Sequence, residues 1–442
     1  MTSETPFREQ LYSRFAGSLL GALIGDCHGS PFEFSGRPNV KSVSDHLERY
    51  RSNKCDRAKG GEGTTLSYTD DTAMTRSVAA SLISCRGYDA VDMGKRFAAE
   101  YAKEPDRGYG YNVTTVFRQI HSGKYDDDIY RPAREQFDGS GSYGNGGAMR
   151  IAPLALFQFG VSVKASAQRH STSVAVSPTL PIVRDISLDL PDGICVKSTK
   201  LTHSNSLGYH GALLQCIAIK LALREGLSLN PEPLEMVKGF IDNLIIALRA
   251  IEQPERDEDG CSPRKKRKIE ETNNGDDDSD DGDDEDDGFE EGDAPSEMPY
   301  TSKLITMRGS LDQRKSIARS SSDPLGLKPV VRRLGNSVAA YGSVPTAIYC
   351  FLRAVADEAE KSNVSNEEGA QSDSLFADFN GFERAIFYAI CCGGDTDTIA
   401  SMAGAIAGAY WGVDAILDSL IDSCEGADEA REAAKNLVGL TF

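Results

Sequence analysis

Two acidic strings lie far apart in the chain and have the residue types of one site. They are Tyr68-Thr69-Asp70-Asp71-Thr72 and Gly393-Gly394-Asp395-Thr396-Asp397-Thr398. Each packs two carboxylates and flanking hydroxyls into a few residues. Each also opens an alanine-rich apolar run with helical spacing. Hard oxygen ligands grouped in this way suit Mg²⁺, which favours octahedral oxygen coordination. If the fold joins the strings, four carboxylates meet, and like charges at that density need a cation. The chemistry expected is a two-metal hydrolytic site. Asp and Thr ahead of a helix are also ordinary N-caps, and capping accounts equally well for either string alone. Two strings that each bring repelling carboxylates together fit capping less well.

Three further strings carry candidate chemistry. Gly25-Asp26-Cys27-His28-Gly29-Ser30-Pro31-Phe32-Glu33 follows an apolar helix. Gly139-Ser140-Gly141-Ser142-Tyr143-Gly144-Asn145-Gly146-Gly147-Ala148-Met149-Arg150 is a glycine-rich loop ahead of another. Its glycines let backbone amides turn towards one anion, and the helix start adds its positive dipole end. It is not a Walker loop, because no Gly-Lys-Ser/Thr follows, and no strand precedes it as a dinucleotide fingerprint requires. Leu201-Thr202-His203-Ser204 sets a histidine before a further helix. On its residues alone, that histidine reads as a helix-start residue satisfied by backbone.

The elements that must position these residues are helical. Apolar spacing predicts helices over Tyr12–Gly25, Asp70–Ser84, Tyr209–Arg224, Glu235–Ile251, Val344–Ala356 and Thr398–Gly412. Gly17, Gly21 and Gly25 repeat at every fourth position, as do Gly404, Gly408 and Gly412. Such stripes let another helix approach closely, and the helix-propensity cost of about 1 kcal/mol per glycine implies that the contact matters. Strand-like alternation is scarce. The fold expected is all-α, with functional residues on loops and helix starts. Arg37–Thr65, Ala165–Lys200 and Lys361–Ser374 read as loops or irregular connections.

The chain has 442 residues, enough for one large core or two to three domains. Its ten cysteines include no CxxC pair, and Cys391 and Cys392 are adjacent. They read as reduced, mostly core residues of an intracellular protein, with no structural zinc site. Met1–Gln10 is polar and does not read as a signal peptide. The apolar runs Ser18–Ile24 and Ala403–Trp411 are too short to span a bilayer, so no membrane association is expected. The net charge of −19 is local: residues 252–298 hold 21 acidic and 6 basic residues, a net of −15. That segment is nearly free of apolar residues and is expected to be disordered. Its run Pro263-Arg264-Lys265-Lys266-Arg267-Lys268 reads as a nuclear localisation signal for an import receptor, against the plainer reading of a solvated charge run. Asp276–Asp293 has 13 acidic residues among 18 and reads as a histone contact or an inert spacer.

Together the strings resemble the ADP-ribosylglycohydrolase family, and within it the ADP-ribosylserine hydrolase branch. The resemblance is carried by Asp106-Arg107-Gly108-Tyr109-Gly110, Gly141–Arg150, Leu201-Thr202-His203, Ser343–Arg353 and Gly393–Gly408. It covers roughly residues 11–430 as one domain, interrupted by 165–200 and 252–298. It implies an all-α orthogonal helical bundle with two Mg²⁺ ions in a cleft. The metal ligands implied are Thr69, Asp70, Asp71, Asp395, Asp397 and Thr398, with Glu33 as a further ligand on a mobile flap. Glu33, Asp70 and Asp71 are the implied catalytic groups, the choice between Asp70 and Asp71 as proton acceptor being open. Ser140, Gly141, Ser142, Tyr143, Gly144, Asn145 and Gly146 would contact the diphosphate and ribose. Phe137 and Tyr143 would face the adenine, and His203 would donate to the diphosphate. The activity implied is Mg²⁺-dependent cleavage of the bond between ADP-ribose and protein serine, with poly(ADP-ribose) and O-acetyl-ADP-ribose as further substrates. ADP-ribosylated proteins, histones among them, are the implied partners, with no direct DNA binding. A monomer in the nucleus, and also in the cytoplasm, is expected. Arginine-linked ADP-ribose hydrolysis, a non-hydrolysing ADP-ribose reader of chromatin, and a histone scaffold working through 276–293 are the alternatives.

Overall fold

The computed structural model describes residues 4–33, 36–52, 65–170, 193–228, 232–252, 298–314, 316, 320–321, 323–364 and 378–441. The longer helices are α1 (Glu4–Gly29), α2 (Val40–Arg51), α3 (Asp70–Cys85), α4 (Ala90–Lys103), α5 (Tyr111–His121), α6 (Ala152–His170), α7 (Ser206–Leu227), α8 (Pro233–Glu252), α9 (Pro299–Asp312), α10 (Ala340–Val364), α11 (Gly381–Cys391), α12 (Thr396–Trp411) and α13 (Ala427–Thr441). Among the described residues, β-structure is confined to isolated bridges such as Leu66 to Cys424 and Gly144 to Ala339. The all-α expectation holds.

α12 is the axis of the molecule: every residue from Thr396 to Ala409 is buried. Its sequence permits this because Ala, Gly and Ser dominate, so neighbouring backbones approach without displacing side chains. α1 lies against it antiparallel. A Cβ added to Gly404 would stand 2.0 Å from the Gly21 carbonyl, and one on Gly408 1.8 Å from that of Gly17. From the other side, a Cβ on Gly25 would lie 2.1 Å from the Ala400 carbonyl. The two stripes therefore face each other, which supplies the close helix that the spacing of each requires. The pairing also carries the C-terminal end of α1, with Asp26, to the N-terminal end of α12, with Asp397. Thr396 Oγ1 donates to the Gly29 carbonyl at 2.9 Å and pins the two ends together. Gly412 is the end of the stripe contact, since a Cβ on Gly17 would stand 2.9 Å from its Cα. It ends α12 at φ 81°, a conformation in which a side chain is strained.

The predicted helices are present, most of them longer than their apolar cores suggested. α10 continues through Pro345, whose ring removes a backbone donor and frees the Tyr341 carbonyl. Lys303 Nζ takes that carbonyl at 2.8 Å and the Leu334 carbonyl at 2.7 Å.

Three expectations need correction. Val40–Arg51 is helix α2 rather than loop. Its apolar residues are sparse, but Val43, Leu47 and Tyr50 recur on one buried face. Helix also enters both ends of the stretch read as irregular between Ala165 and Lys200: α6 runs to His170, and Ile194–Lys200 forms a short helix. Likewise Lys361–Val364 belongs to α10. The rest of the second insertion, 171–192, and residues 253–297 with the basic and acidic runs lie outside the described residues. α7 is long and apolar enough to cross a membrane, which the run lengths did not reveal. However, 78% of its most apolar stretch is buried inside the protein, as in a core helix. Seven of the described cysteines, including Cys391 and Cys392, are buried free thiols, and Cys85 is exposed.

Candidate active site

Asp26 organises the centre. It is fully buried near the end of α1, and its carboxylate accepts from the Thr69 N–H at 3.0 Å, the Thr72 N–H at 3.1 Å and Thr72 Oγ1 at 2.6 Å. Those donors are first-turn groups of α3, which have no partner within their own helix. One carboxylate on α1 thus holds the start of α3, and with it Thr69, Asp70 and Asp71. A second support comes from the Asp106–Gly110 turn. The Arg107 carbonyl accepts from the Asp70 N–H at 2.7 Å, while the Arg107 guanidinium forms a two-bond pair with Glu425 and lies over the Tyr68 ring.

The other half hangs on Gly393 and Gly394, both left-handed at φ 71° and 72°. A Cβ on Gly394 would fall 2.0 Å from the Asn336 carbonyl, which also accepts from the Asp395 N–H at 2.9 Å. This turn aims Asp395 and Asp397 at α3. Thr398 Oγ1 donates to Asp71 Oδ1 at 3.3 Å, so the two sequence strings meet directly.

The carboxylates fall into two overlapping groups. Oxygens of Asp26, Asp71 and Asp397 lie within 4.8 Å of one another, and so do those of Glu33, Asp395 and Asp397. Burial first, and then repulsion from Asp397, pushes the carboxyls of Asp70, Asp71 and Asp395 well above the ordinary range. Burial and Asp397 likewise push half-buried Glu33 up to about 7. Asp26 also rises to about 7 through burial, against the opposing bonds from α3. Asp71 Oδ2 is buried with no hydrogen-bond partner. Oxygen donors of this type and density, with one of them orphaned, fit hard divalent cations.

A cleft of about 400 Å³ opens on this centre, a size usual for small-molecule sites. Glu33, Thr69, Asp70, Asp395, Asp397 and Thr398 line it, with Phe137, Ser142, Gly144, Asn145, Gly146 and His203. Among the residues expected at the site, Asp71 lies beneath the cleft, buried at 1% exposure. Ser140 and Gly141 are not on the cleft wall either: Ser140 Oγ donates to the Phe137 carbonyl, and Ser140 lines a neighbouring depression. Tyr143 is half-exposed and outside the cleft lining, unlike Phe137. Asn145 also has work that the sequence did not announce. Its Nδ2 donates to Asp395 Oδ2 at 2.5 Å and Ser343 Oγ at 3.0 Å, and its N–H donates to the Val338 carbonyl. Both donors are spent on holding Asp395 and the loop.

His203 packs its ring against the glycine loop. A Cβ on Gly146 would stand 2.6 Å from His203 Cε1, and one on Gly144 3.2 Å from Nε2, so the ring fits only against glycine. Burial, and then the Arg150 charge, pushes His203 down to about 3, so the ring is neutral at physiological pH.

Sequence reasoning assigned no role to Asp26, Arg150 or the cleft residues Met74, Tyr111, Val113 and Phe117. A usable signal existed for Asp26: it is a lone acid immediately after the last glycine of an apolar helical stripe. No periodic signal marks Tyr111, which sits 85% exposed at the start of α5.

An all-helical fold closing two aspartate-rich helix starts beneath a glycine loop defines a class. The chain belongs to the ADP-ribosylglycohydrolase family, whose model matches residues 8–180 and 193–442. Its relatives include the mouse (Mus musculus) ADP-ribosylhydrolase ARH3, 38% identical over 96% of this chain and 91% of that protein. The human (Homo sapiens) ADP-ribosylhydrolase ARH3 is also 38% identical, over 96% of this chain and 93% of its own length. The zebrafish (Danio rerio) protein of the same name is 36% identical over 97% and 91%. A solved "ADP-ribosylglycohydrolase-related protein complex" overlays at a TM-score of 0.48 and 17% identity, covering 98% of this chain and 100% of that one.

Proposed function

We propose that this chain is a Mg²⁺-dependent hydrolase that cleaves the O-glycosidic bond between ADP-ribose and serine on proteins, and also acts on poly(ADP-ribose) and O-acetyl-ADP-ribose. The observation that carries this reading is one cleft shared by Glu33, Asp70, Asp395 and Asp397 on one side and the Ser142–Gly146 loop with His203 on the other. Acidic ligands and an anion cradle in one cleft suit a substrate with a ribose at one end and a diphosphate beyond it. The relatives' shared name, ADP-ribosylhydrolase, supports the same substrate class.

The residues divide the work. Thr69, Asp70, Asp71, Asp395, Asp397 and Thr398 would hold the two ions, with Glu33 completing the second group. Two bound Mg²⁺ would neutralise the carboxylates, orient the ribose diol and acidify water. The glycine loop and the His203 N–H bind the diphosphate and fix the ribose over the acidic centre. Cleavage passes through an oxocarbenium-like state, so the leaving serine oxygen needs a proton and the water must lose one. Asp70 and Glu33 face the cleft and are placed for proton transfer, whereas buried Asp71 serves as a ligand. Asp26 anchors α3. The run Arg264–Lys268 is read as a nuclear import signal, and its deletion in a tagged chain is expected to lower nuclear accumulation.

The test is ADP-ribose release from a serine-ADP-ribosylated peptide, with Mg²⁺ or with chelator, beside an arginine-linked peptide. Mg²⁺-dependent release from serine alone is expected. Release from arginine alone would overturn the linkage. ADP-ribose binding without any release would favour the reader.

A further inference from the structure

His203 lines the cleft, and its Nε2, on the ring edge beside Gly144 and Gly146, makes no hydrogen bond among the described residues. Its other ring nitrogen is engaged. Nδ1 lies 2.7 Å from Thr202 Oγ1, and Thr202 Oγ1 lies 2.7 Å from Arg150 Nη2. A guanidinium is donor-only, so the Thr202 oxygen must accept from Arg150. The oxygen has a second lone pair, but accepting from Nδ1 as well would leave its buried hydrogen with no acceptor among the described residues, so that hydrogen goes to Nδ1. Nδ1 must therefore accept, and the ring proton resides on Nε2.

Arg150 itself argues for a role beyond packing. It is 1% exposed, stands in no ion pair among the described residues, and has an Nε without a partner. Its other contacts are the Ser198 carbonyl at 3.3 Å and the Phe97 ring at 4.5 Å. The Asp70 charge acts on it without a direct ion pair; a buried cation with no carboxylate in contact is costly, and an apolar residue would fill the space more cheaply. Its charge also opposes a second proton on His203.

We propose that Arg150 and Thr202 are positioning residues that hold His203 as its Nε2–H tautomer, an obligate donor to an anionic oxygen of the bound ligand. Taking that oxygen as part of an ADP-ribose diphosphate rests on the function proposed above; the relay itself does not. The arrangement selects ligands that present an acceptor at this point and disfavours those that present a donor.

The test uses the full chain in three forms: wild type, Thr202→Val, which removes only the hydroxyl, and Thr202→Ser, which restores it. Long-range ¹H–¹⁵N spectra of the histidine rings, with His203→Ala for assignment among six histidines, read the tautomer. Calorimetry with ADP-ribose reads affinity. Wild type and Thr202→Ser are expected to show a protonated Nε2 and equal affinity. Thr202→Val is expected to give mixed tautomers and about tenfold weaker binding. An unchanged ring spectrum in Thr202→Val overturns the relay. A changed spectrum with unchanged affinity overturns its role in binding. If wild type does not bind ADP-ribose, the substrate reading fails while the spectra still decide the relay. Unchanged thermal melting of the valine variant separates the effect from unfolding.

Discussion

At the scale of single residues, carboxylates here do two kinds of work. Asp26 uses both oxygens on α3, so its charge is structural. Changing Asp26→Asn replaces an acceptor by a donor that faces N–H groups. A drop in turnover of at least tenfold is expected, together with a higher Mg²⁺ requirement, measured by ADP-ribose release across a Mg²⁺ titration. Asp397 is common to both carboxylate groups. Asp397→Asn is expected to abolish turnover and the thermal shift caused by Mg²⁺, while leaving the metal-free protein as stable as wild type or more so, because one repelling charge is gone. A variant that keeps its activity would show that the ligand assignment is wrong. Asp70, Asp71, Asp395 and Asp397 were legible in the sequence because adjacent carboxylates are hard to explain otherwise. Asp26 was not, since one acid at a helix end carries no spacing signal. Asn145 was legible as a cleft residue, but only the fold reveals that its Nδ2 and N–H are spent on Asp395, Ser343 and Val338.

At the scale of elements, the glycine stripes of α1 and α12 set the geometry of the site, because their register fixes Asp26 relative to Asp397. Gly404→Ala would drive a methyl group to within 2.0 Å of the Gly21 carbonyl, with backbone rather than a yielding side chain opposite. A loss of about 3 kcal/mol or more is expected, read by denaturant melts. Gly239 lies in α8 with open space around its Cβ position. Gly239→Ala is expected to stabilise by about 0.4–1 kcal/mol through helix propensity and unfolded-chain entropy. If both substitutions behaved alike, the stripe would not be the constraint. The stripe was readable as a four-residue period; which helix it meets was not. α2 was not recognised because its Val43, Leu47 and Tyr50 sit among charges. Its attachment through Arg51 to Glu383, which closes the capping box of Asn380 at the start of α11, is a tertiary contact that no local pattern announces.

At the scale of the whole molecule, the net charge of −19 is a poor guide to the site. Most of it lies in 252–298, which composition alone separates from the helical body, while the charges that govern stability are a few carboxyls under α3 and α12. Their linkage can be followed by pH. Asp26 and Glu33 titrate at about 7 in the folded chain, against ordinary values of 3.8 and 4.5, so the folded state holds protons that the unfolded state has lost. Their contribution is complete at low pH and disappears as pH rises through about 7. His46 and His203, both pushed down to about 3 by burial, act in the opposite sense. With His210, pushed down to about 4, they hold fewer protons when folded wherever an unfolded histidine is protonated; that protonation is half complete at about pH 6.5 and tails off by about 7.5. From about pH 6.5 to 8 these carboxyls lose their protons while the histidines, and Lys303, which burial pushes down to about 7, act against them, so the metal-free melting temperature follows the difference between the two sets. Mg²⁺ binds the ionised centre, so its stabilisation should grow over the same interval and vanish in Asp397→Asn. Melting curves with Mg²⁺ and with chelator at several pH values measure both slopes. A melting temperature that Mg²⁺ shifts at neither about pH 6.5 nor about pH 8 would mean that these carboxyls do not form a cation site.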